Sequence, residues 1–351
     1  MPKSFVRKGL QGYQPYVPGE QPPDGEDWVK LNTNESPLPP SPRVIEAIKA
    51  AAGESLRLYP SPTAAPARRA IAKHFGLDES QVSVGNGADD LIEMCFRAFA
   101  GPGDRVAYPT PTYPLLVSLC LLHDMVPSPN PSGEMFTWST ELTDDPAPLK
   151  FLVNPNSPTG TWHAGTSVER VLMRSEGVVV LDEAYVDFAP ESQLALLAKH
   201  ENLLIVRTMS KSYALAGMRI GFALGSPGLI AALDAVKDSY NVDRLAIVAA
   251  SAAIEDIEHH RKIVDHVISE RLWLEDQLAE LGFERSPSEA NFVFVKPALG
   301  NSAPAVADAL RERRILIRHY DLNPIDGWFR ITVGTRPQHE LLLSALREIL
   351  I

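Results

Sequence analysis

The lysine at position 211 stands in surroundings that suit covalent chemistry. It follows an apolar segment, residues 203–206, so Lys211 is expected on a loop at the carboxyl end of a buried strand. Apolar residues also follow it, among them Leu215, Met218 and Phe222. A buried ammonium group needs a partner or loses its proton, and an uncharged lysine amine forms imines with aldehydes. The sequence therefore predicts a reactive lysine that faces a packed interior.

The residues around Lys211 also suit a phosphate group. Thr208 and Ser210 supply hydroxyls, and Arg219 supplies a guanidinium group on the other side of the lysine. An aldehyde that carries a phosphate is pyridoxal phosphate, and these residue types together predict that cofactor. If so, other segments must supply its remaining contacts.

Two more segments place suitable groups after strand-like runs. Asp182 ends the apolar run 178–181, where a charge is costly unless it meets a cation. A protonated pyridine nitrogen would be such a cation, and capping of the next helix is the alternative role. The segment from Gly85 to Asp90 follows another short strand and opens a helix, so its backbone N–H groups could hold a phosphate. An ordinary strand-to-helix turn is the alternative there.

Further candidates lie at corresponding positions of other strands. Tyr185 could donate a hydrogen bond to a ring oxygen, and Tyr113 could stack on a planar ring or serve as a half-buried core residue. Residues 154–160 form a rigid turn of prolines, glycine and polar side chains. Arg318 and Arg330 end strand-like segments and could bind a carboxylate or phosphate in bidentate fashion, with surface salt bridges as the alternative.

These residues need a scaffold that gathers strand ends, and the chain has the pattern of one. Strand-like and helical runs alternate, which predicts a mainly parallel sheet covered by helices on both faces, with ligands at the carboxyl ends of its strands. The expected strands are 81–84, 105–108, 149–153, 178–181, 203–206 and 220–224, and the expected helices are 43–52, 64–75, 87–100, 114–123, 166–175 and 191–199.

The pattern changes after Gly225. A long helical stretch at 243–281 is followed by expected strands at 291–296, 314–318 and 328–333 and by a helix from 337, which is an α+β arrangement. We therefore predict three parts. These are a proline-rich arm at 1–40 that packs with the small domain or a partner subunit, a large cofactor-binding domain at 41–240 and a small α+β domain at 241–351.

Composition limits the classes of partner. The 351 residues carry a formal net charge of -11, which argues against nucleic acid or an anionic membrane as the main partner. Cys95 and Cys120 both lie in apolar segments, without disulfide or metal-ligand spacing, so we predict no metal site. The chain shows no signal segment and no long apolar run, which predicts a soluble cytoplasmic protein.

In their order and spacing, the segments above resemble the fold-type-I pyridoxal-phosphate aminotransferases, and most closely the histidinol-phosphate aminotransferase branch. The resemblance covers nearly the whole chain and implies a large domain with a mainly parallel, seven-stranded sheet and a smaller α+β domain. The matching signatures are Pro15 to Gly19, Asn32 to Glu35, Leu58 to Pro60, Gly87 to Asp89, Asn154 to Gly160, Asp182 to Tyr185, Ser210 to Arg219 and Phe329 to Thr335.

The resemblance implies a role for each candidate. Lys211 would be covalently linked to the cofactor and act as proton shuttle, Asp182 would bind the pyridine nitrogen, Tyr185 would contact the ring oxygen, and Tyr113 would stack on the ring. The residues that would hold the cofactor phosphate are Ala88, Asp89, Thr208, Ser210 and Arg219. One position departs from the family, because Ser157 stands where asparagine is usual. Either Ser157 or the neighbouring Asn156 would then reach the ring oxygen.

The resemblance also implies a shared site and a substrate. The tyrosine that matches Tyr59 reaches the cofactor phosphate from the other subunit, which implies a homodimer. The implied substrate-binding residues are Tyr16, Asn34, Tyr59, Arg318 and Arg330. The expected reaction is amino transfer from L-histidinol phosphate to 2-oxoglutarate, giving imidazole acetol phosphate and L-glutamate. The alternatives are an aromatic or broad-range amino-acid aminotransferase, a lyase like the threonine-phosphate decarboxylases, and a binding protein that has kept the fold without catalysis.

Overall fold

The structure is a computed structural model, and it describes residues 5–6, 10, 13, 17–23, 26–298 and 302–350. Its strands are Val29–Leu31 (β1), Val82–Gly85 (β2), Arg105–Thr110 (β3), Val126–Pro131 (β4), Leu149–Val153 (β5), Val178–Asp182 (β6), Leu203–Thr208 (β7), Gly221–Gly225 (β8), Glu284–Ser286 (β9), Phe292–Lys296 (β10), Ile315–His319 (β11) and Phe329–Thr332 (β12).

Helices alternate with these strands through the first two thirds of the chain and cover the sheet. They are Pro42–Ala51 (α1), Ala65–Phe75 (α2), Ala88–Phe99 (α3), Leu115–Leu122 (α4), Thr140–Asp144 (α5), Gly165–Arg174 (α6), Pro227–Val236 (α7), Arg244–Glu255 (α8), Ile257–Glu280 (α9), Ala303–Glu312 (α10) and Arg336–Ile349 (α11).

The larger sheet has seven strands in the order β2-β8-β7-β6-β5-β3-β4. Within it, β8 runs antiparallel to both of its neighbours and the other described pairings are parallel. This confirms the mainly parallel α/β sheet that the sequence predicts. The carboxyl ends of β5, β6 and β7 consequently lie side by side at one edge.

Alternation along the central strands explains why they are apolar on both faces. In β7, Leu203 and Ile205 join one hydrophobic cluster, whereas Leu204 and Val206 join the cluster on the opposite face. Successive side chains of a strand point to opposite faces, so both sets are buried under helices. The strand is thereby fixed in register, and the loop that follows it starts from a rigid position.

The edge strand β4 has no counterpart in the sequence prediction. Its sequence, Val126–Pro131, has prolines at 127, 129 and 131, and a proline cannot donate a hydrogen bond to a neighbouring strand. β4 lies at the edge of the sheet and pairs with β3 alone, so every second N–H position of β4 points away from β3 and has no neighbouring strand as acceptor. The prolines are tolerated for this reason.

The smaller sheet has five strands in the order β1-β11-β12-β10-β9. Its outermost strand, β1, comes from the expected N-terminal arm and runs parallel to β11. Helices α9, α10 and α11 pack against this sheet through a separate core that includes Leu274, Leu310 and Leu342. The segment after β1 therefore leads directly from the small sheet toward the large one.

Two helical predictions differ from the structure. The expected helix at 191–199 is a 3-10 turn at Leu194–Ala198, because the N–H of Gln193 donates to the Glu183 carboxylate (2.7 Å) and holds the chain in another conformation. The stretch 243–281 is two helices, since Asp256 has non-helical dihedrals and caps α9. Helix α7 was not predicted, although Pro227 at its first position is a start signal. Among the described residues, no helix is long and apolar enough to cross a membrane.

Candidate active site

A cavity of about 1330 Å³ opens at the carboxyl ends of β5, β6 and β7, between the two sheets. Both sheets and the segment after β1 contribute to its walls. Most of the candidate residues line it, namely Asn34, Ala88, Asp89, Tyr113, Ser157, Asp182, Tyr185, Thr208, Ser210, Lys211, Arg219, Arg318 and Arg330. The structure thus brings together residues that are far apart in the sequence.

Asp182 lies in the floor of this cavity as the last residue of β6, opposite Val206 of β7. Its carboxylate is 5% exposed and accepts a hydrogen bond from the backbone N–H of Ala184 (2.9 Å). Burial raises the pKa of Asp182 to about 7, and the charge of Asp89 adds to this effect. Among the described residues no cation forms an ion pair with Asp182, so the site suits a ligand with a cationic N–H group.

Lys211 lies on the loop after β7, as its position in the sequence predicts. Its Nζ donates a long hydrogen bond to the carbonyl of Thr33 (3.5 Å) and lies 5.7 Å from the centre of the Tyr185 ring. Burial, together with the charge of the nearby Arg330, lowers the pKa of Lys211 to about 8. The amine is therefore much closer to its neutral, nucleophilic form at physiological pH than a surface lysine would be.

The amino end of α3 forms one wall and has open backbone N–H groups. Gly87 caps this helix with a φ of +89°, and a Cβ atom there would lie 2.7 Å from the Arg219 guanidinium. A Cβ on Gly221 would meet the backbone nitrogen of Ala88 at 2.6 Å. Two glycines thus allow the helix end, β8 and Arg219 to approach closely, with the helix dipole directed at the cavity.

Hydroxyl and guanidinium groups meet at this helix end. Thr208 Oγ1 donates to Ser210 Oγ (3.0 Å), Arg219 Nη1 donates to Ser210 Oγ (3.4 Å), and Arg219 Nη2 lies 3.3 Å from the Asp89 carboxylate. Arg219 has a φ of +49°, a strained conformation for a side chain of its size. Tyr113 donates to the other Asp89 oxygen (3.1 Å), which fixes that ring beside the cluster. These groups match the needs of a phosphate.

Pyridoxal phosphate fits the residues that are present. The chain has a buried carboxylate for the ring nitrogen, a lysine of lowered pKa for the aldehyde and a helix end with hydroxyls and an arginine for the phosphate. Among the described residues there is no cluster of metal-binding side chains. The hydroxyls and the arginine at the helix end favour a ligand with a phosphate group.

Of the two neighbours Asn156 and Ser157, only Ser157 lines the cavity. The Asn156 amide donates to the Pro111 carbonyl (3.0 Å) and to Thr159 Oγ1 (2.8 Å), and its oxygen accepts from Thr112 (2.9 Å). Its hydrogen bonds therefore hold the loops together, and the expected contact between Asn156 and the cofactor stays a prediction. Ser157 accepts a hydrogen bond from Arg330 (3.1 Å) and remains the candidate for the ring oxygen.

Two arginines enter the cavity from the small sheet. Arg330 Nη1 donates to Ser157, and Arg330 Nη2 donates to the carbonyl of Asn32 (3.1 Å), while its buried Nε has no partner in the described part of the chain. Arg318 donates to the carbonyl of Val17 (3.4 Å) and lies over the Tyr320 ring. Neither forms an ion pair with a described carboxylate, so both are suited to an anionic ligand.

One of the expected ligand contacts, Tyr59, lies outside this cavity. Tyr59 is 78% exposed, stacks on Tyr240 with ring centres 4.5 Å apart, and does not line the cavity of its own chain. Leu56 and Leu58 beside it are also exposed, so this surface is apolar. Tyr16 lies outside the described residues.

Sequence reasoning missed several groups at the site. Thr33 supplies the carbonyl that Lys211 contacts, and the Glu35 carboxylate lines the cavity and opposes the lowering of the Lys211 pKa. Behind Asp182 and Lys211, Arg207 forms a buried two-point contact with Glu183 (2.7 and 3.0 Å). A signal for the last pair was present, because a charged residue inside an apolar strand requires a buried partner.

Comparison with known proteins agrees with this site. The family model described as aminotransferase class I and II matches residues 26–346. Histidinol-phosphate aminotransferase 1 of Methylococcus capsulatus is 45% identical over 97% of this chain and 96% of its own length. The enzyme of the same name from Nostoc sp. is 41% identical over 99% of this chain and 98% of its length.

A solved structure extends the comparison to three dimensions. Histidinol-phosphate aminotransferase from Sinorhizobium meliloti, in complex with pyridoxal-5'-phosphate, superposes with a TM-score of 0.85 at 28% identity and covers 92% of this chain and 90% of its own. The similarity between the two structures therefore concerns the overall fold. With a family model over most of its length and full-length relatives above 40% identity, the chain belongs to the aminotransferase class I and II family.

Proposed function

We propose that this protein is a pyridoxal-phosphate-dependent aminotransferase that transfers the amino group of L-histidinol phosphate to 2-oxoglutarate, giving imidazole acetol phosphate and L-glutamate. The observation that carries the proposal is one cavity that holds a buried Asp182, a Lys211 of lowered pKa and two arginines, with no ion pair to Asp182 or to either arginine among the residues the structure describes. The names of the full-length relatives support the choice of amine donor.

Each residue has a part in holding the cofactor under this proposal. Asp182 pairs with the ring nitrogen, Tyr185 and Ser157 donate to the ring oxygen, and Tyr113 packs on the ring. The phosphate is held by the backbone at Ala88 and Asp89 and by the side chains of Thr208, Ser210 and Arg219. The cluster at the amino end of α3 supports this assignment, since hydroxyls, a guanidinium and open N–H groups converge there.

When bound, pyridoxal phosphate supplies an aldehyde that takes up amino groups and a ring that accepts electrons from the substrate α-carbon. Lys211 would hold the cofactor through its Nζ. As a free amine, this Nζ, whose pKa burial lowers to about 8, would act as the general base that takes up and returns the α-carbon proton of the substrate. Asp182, ionised beside a cationic nitrogen, keeps that nitrogen protonated.

Arg318 and Arg330 bind the anionic groups of both substrates. Histidinol phosphate presents a phosphate and 2-oxoglutarate presents two carboxylates, and a planar guanidinium matches either group with paired hydrogen bonds. The uncharged partners of both arginines leave their charge available for such a ligand. Tyr16 and Tyr59 complete the proposed substrate site.

The proposal includes a homodimer in which Tyr59 of each subunit serves the site of its partner. The exposed, apolar surface formed by Leu56, Leu58, Tyr59 and Tyr240 supports this. Three parts, 1–40, 41–240 and 241–351, are proposed as arm, cofactor domain and small domain. A cytoplasmic location is also proposed, and the two buried free cysteines agree with a reducing compartment.

Half-reactions followed by cofactor absorbance test the proposal. The lysine-linked cofactor should convert to its amino form with L-histidinol phosphate and with L-glutamate, and 2-oxoglutarate should reverse the change. Catalytic efficiency should be at least 100-fold higher for histidinol phosphate than for phenylalanine or tyrosine. Equal efficiencies would favour the broad-range aminotransferase, carbon dioxide release from threonine phosphate without amino transfer would favour the lyase, and no spectral change with any donor would exclude all three.

A further inference from the structure

Asn34 lies where the two sheets meet and is almost completely buried. It sits between β1 of the small sheet and α1 of the large domain, with a φ of +56° and 1% of its surface exposed. Its backbone carbonyl accepts a hydrogen bond from Asn291 (3.0 Å), which fixes the unusual conformation. Asparagine adopts this left-handed region more readily than most residues.

The hydroxyl of Thr332 determines which way the Asn34 amide points. Thr332 Oγ1 accepts the backbone N–H of Asn34 (2.9 Å), so its single proton is free to be donated to Asn34 Oδ1 (3.2 Å). The amide oxygen therefore faces Thr332, and the Nδ2 group faces the other way. The orientation follows from the count of donors and acceptors.

Asn34 Nδ2 then donates to the Tyr185 hydroxyl oxygen (3.0 Å). Because an amide NH₂ group has no acceptor, Tyr185 must direct its own proton elsewhere. The Tyr185 ring cannot turn to change this, since it is buried and packs edge-on against Phe292 with ring centres 5.2 Å apart. Besides Asn34, the hydroxyl faces Ser157, which is also within hydrogen-bond reach, and the cavity that both residues line.

We propose that Asn34 is a positioning residue, which makes the Tyr185 hydroxyl a permanent hydrogen-bond donor toward the cavity. The relay runs from Thr332 in the small sheet through Asn34 to Tyr185 in the large domain. It rests on the proposed function, because the group that receives the Tyr185 proton is the ring oxygen of the cofactor. Asn34 thus acts on the cofactor through Tyr185, although the sequence predicts that it binds substrate.

The relay has a spectroscopic consequence. A donor aimed at the ring oxygen stabilises the deprotonated form of the lysine-linked chromophore and lowers the pH at which it titrates. In Asn34→Asp the carboxylate can only accept, so Tyr185 would turn its proton to residue 34 and away from the cavity. Aspartate tolerates the left-handed backbone, so this substitution does not strain the main chain at position 34.

The experiment is an absorbance titration of the cofactor-loaded protein with N34D, Y185F, the double variant, T332V and T332S. N34D and Y185F should each raise the titration midpoint by about one pH unit, a tenfold change in proton affinity. The titration midpoint of the double variant should exceed that of Y185F by much less than N34D alone shifts the midpoint of the wild type, because Tyr185 transmits the effect. T332V should raise the midpoint by a smaller amount, and T332S, which keeps the hydroxyl, should match the wild type.

The outcomes separate the two proposals. A wild-type band with no shift in N34D, or an N34D shift that persists in full when Tyr185 is phenylalanine, overturns the relay while leaving the aminotransferase intact. T332V against T332S provides the same test should N34D fail to fold. A wild-type protein that forms no lysine-linked band overturns the proposed function and the relay together.

Discussion

Arg318 and Arg330 stand directly opposite each other on the neighbouring antiparallel strands β11 and β12. Like charges at such cross-strand positions repel and destabilise a sheet. Neither guanidinium is neutralised by a described carboxylate, and both line the cavity. The small sheet therefore carries a local electrostatic cost at the place where an anionic ligand would remove it.

Arg318→Gln should consequently have opposite effects on stability and on binding. Relief of the repulsion should raise the free energy of unfolding by roughly 0.2–1 kcal/mol, while the KM for histidinol phosphate rises at least tenfold. Denaturant unfolding of the ligand-free protein and steady-state kinetics measure the two effects. Arg174→Gln is the control, since this exposed arginine pairs with Asp144 far from the cavity and its loss should leave KM unchanged. A lower stability in R318Q together with normal KM would contradict the cross-strand argument.

Two aspartates near the site, the buried Asp182 and the half-buried Asp187, should affect the pH dependence of stability with opposite signs. Burial raises the pKa of Asp182 from its ordinary value of 3.8 to about 7. The folded protein then holds a proton that the unfolded chain has lost, so this residue makes stability fall as pH rises through that interval. Burial acts the same way on Asp187, but the hydrogen bond from His260 and the charge of Arg207 outweigh it and hold the Asp187 pKa well below its ordinary value.

Asp182→Asn should therefore stabilise the cofactor-free protein above pH 7, by at most roughly 1.4 kcal/mol for each unit of the pKa shift. At pH 4 the substitution should leave the free energy of unfolding nearly unchanged. Asp187→Asn should destabilise the protein at pH 7, and that difference should shrink as pH falls below 4. Urea unfolding of both variants at pH 4, 6 and 8 makes the comparison. In the loaded enzyme D182N should lower kcat on the order of 100-fold. A destabilising D182N at pH 8 would show that Asp182 has a cationic partner.

Lys211→Ala should abolish covalent attachment of the cofactor. Borohydride reduction of the loaded wild type should add the cofactor mass to the chain at Lys211, whereas K211A should gain no mass and lose roughly 100- to 10,000-fold in kcat. Lys199→Ala is the control, because this exposed lysine contacts only Glu169 among the residues the structure describes. Attachment in K211A would mean that another lysine carries the cofactor.

The arrangement of the large domain could be predicted from the sequence because its signals are local. Strands β6 and β7 begin as continuous apolar runs and end in polar residues, and β5 is apolar except for Lys150 and is followed by Asn154, as is typical of the buried strands of a parallel sheet. The direction of β8 could not be predicted, since an apolar run reads the same in both directions. Strand β4 was hidden by prolines that only an edge position permits.

The site was predictable in its chemistry and less so in its hydrogen bonds. Types and spacing indicated Lys211 and Asp182, because few functions account for such groups at strand ends. The contrast between Asn156 and Ser157 depends on which side chain turns toward Pro111, a feature of tertiary packing with no sequence pattern. The contact between Thr332 and Asn34 could not be predicted either, because the two residues lie near opposite ends of the chain.

Tyr59 provides the last test, because it lies outside the cavity of its own chain. If it serves the partner's site, Y59F should weaken cofactor binding roughly 10- to 100-fold through the loss of a charge-assisted hydrogen bond.

Mixing K211A with Y59A subunits should then restore activity. Half of the dimers would be mixed, and each would hold one site with both residues intact, or about one quarter of the wild-type sites. K211A mixed with D182N should restore none, because Lys211 and Asp182 line the same cavity and every mixed site lacks one of them. If neither mixture recovers activity, Tyr59 acts within its own subunit.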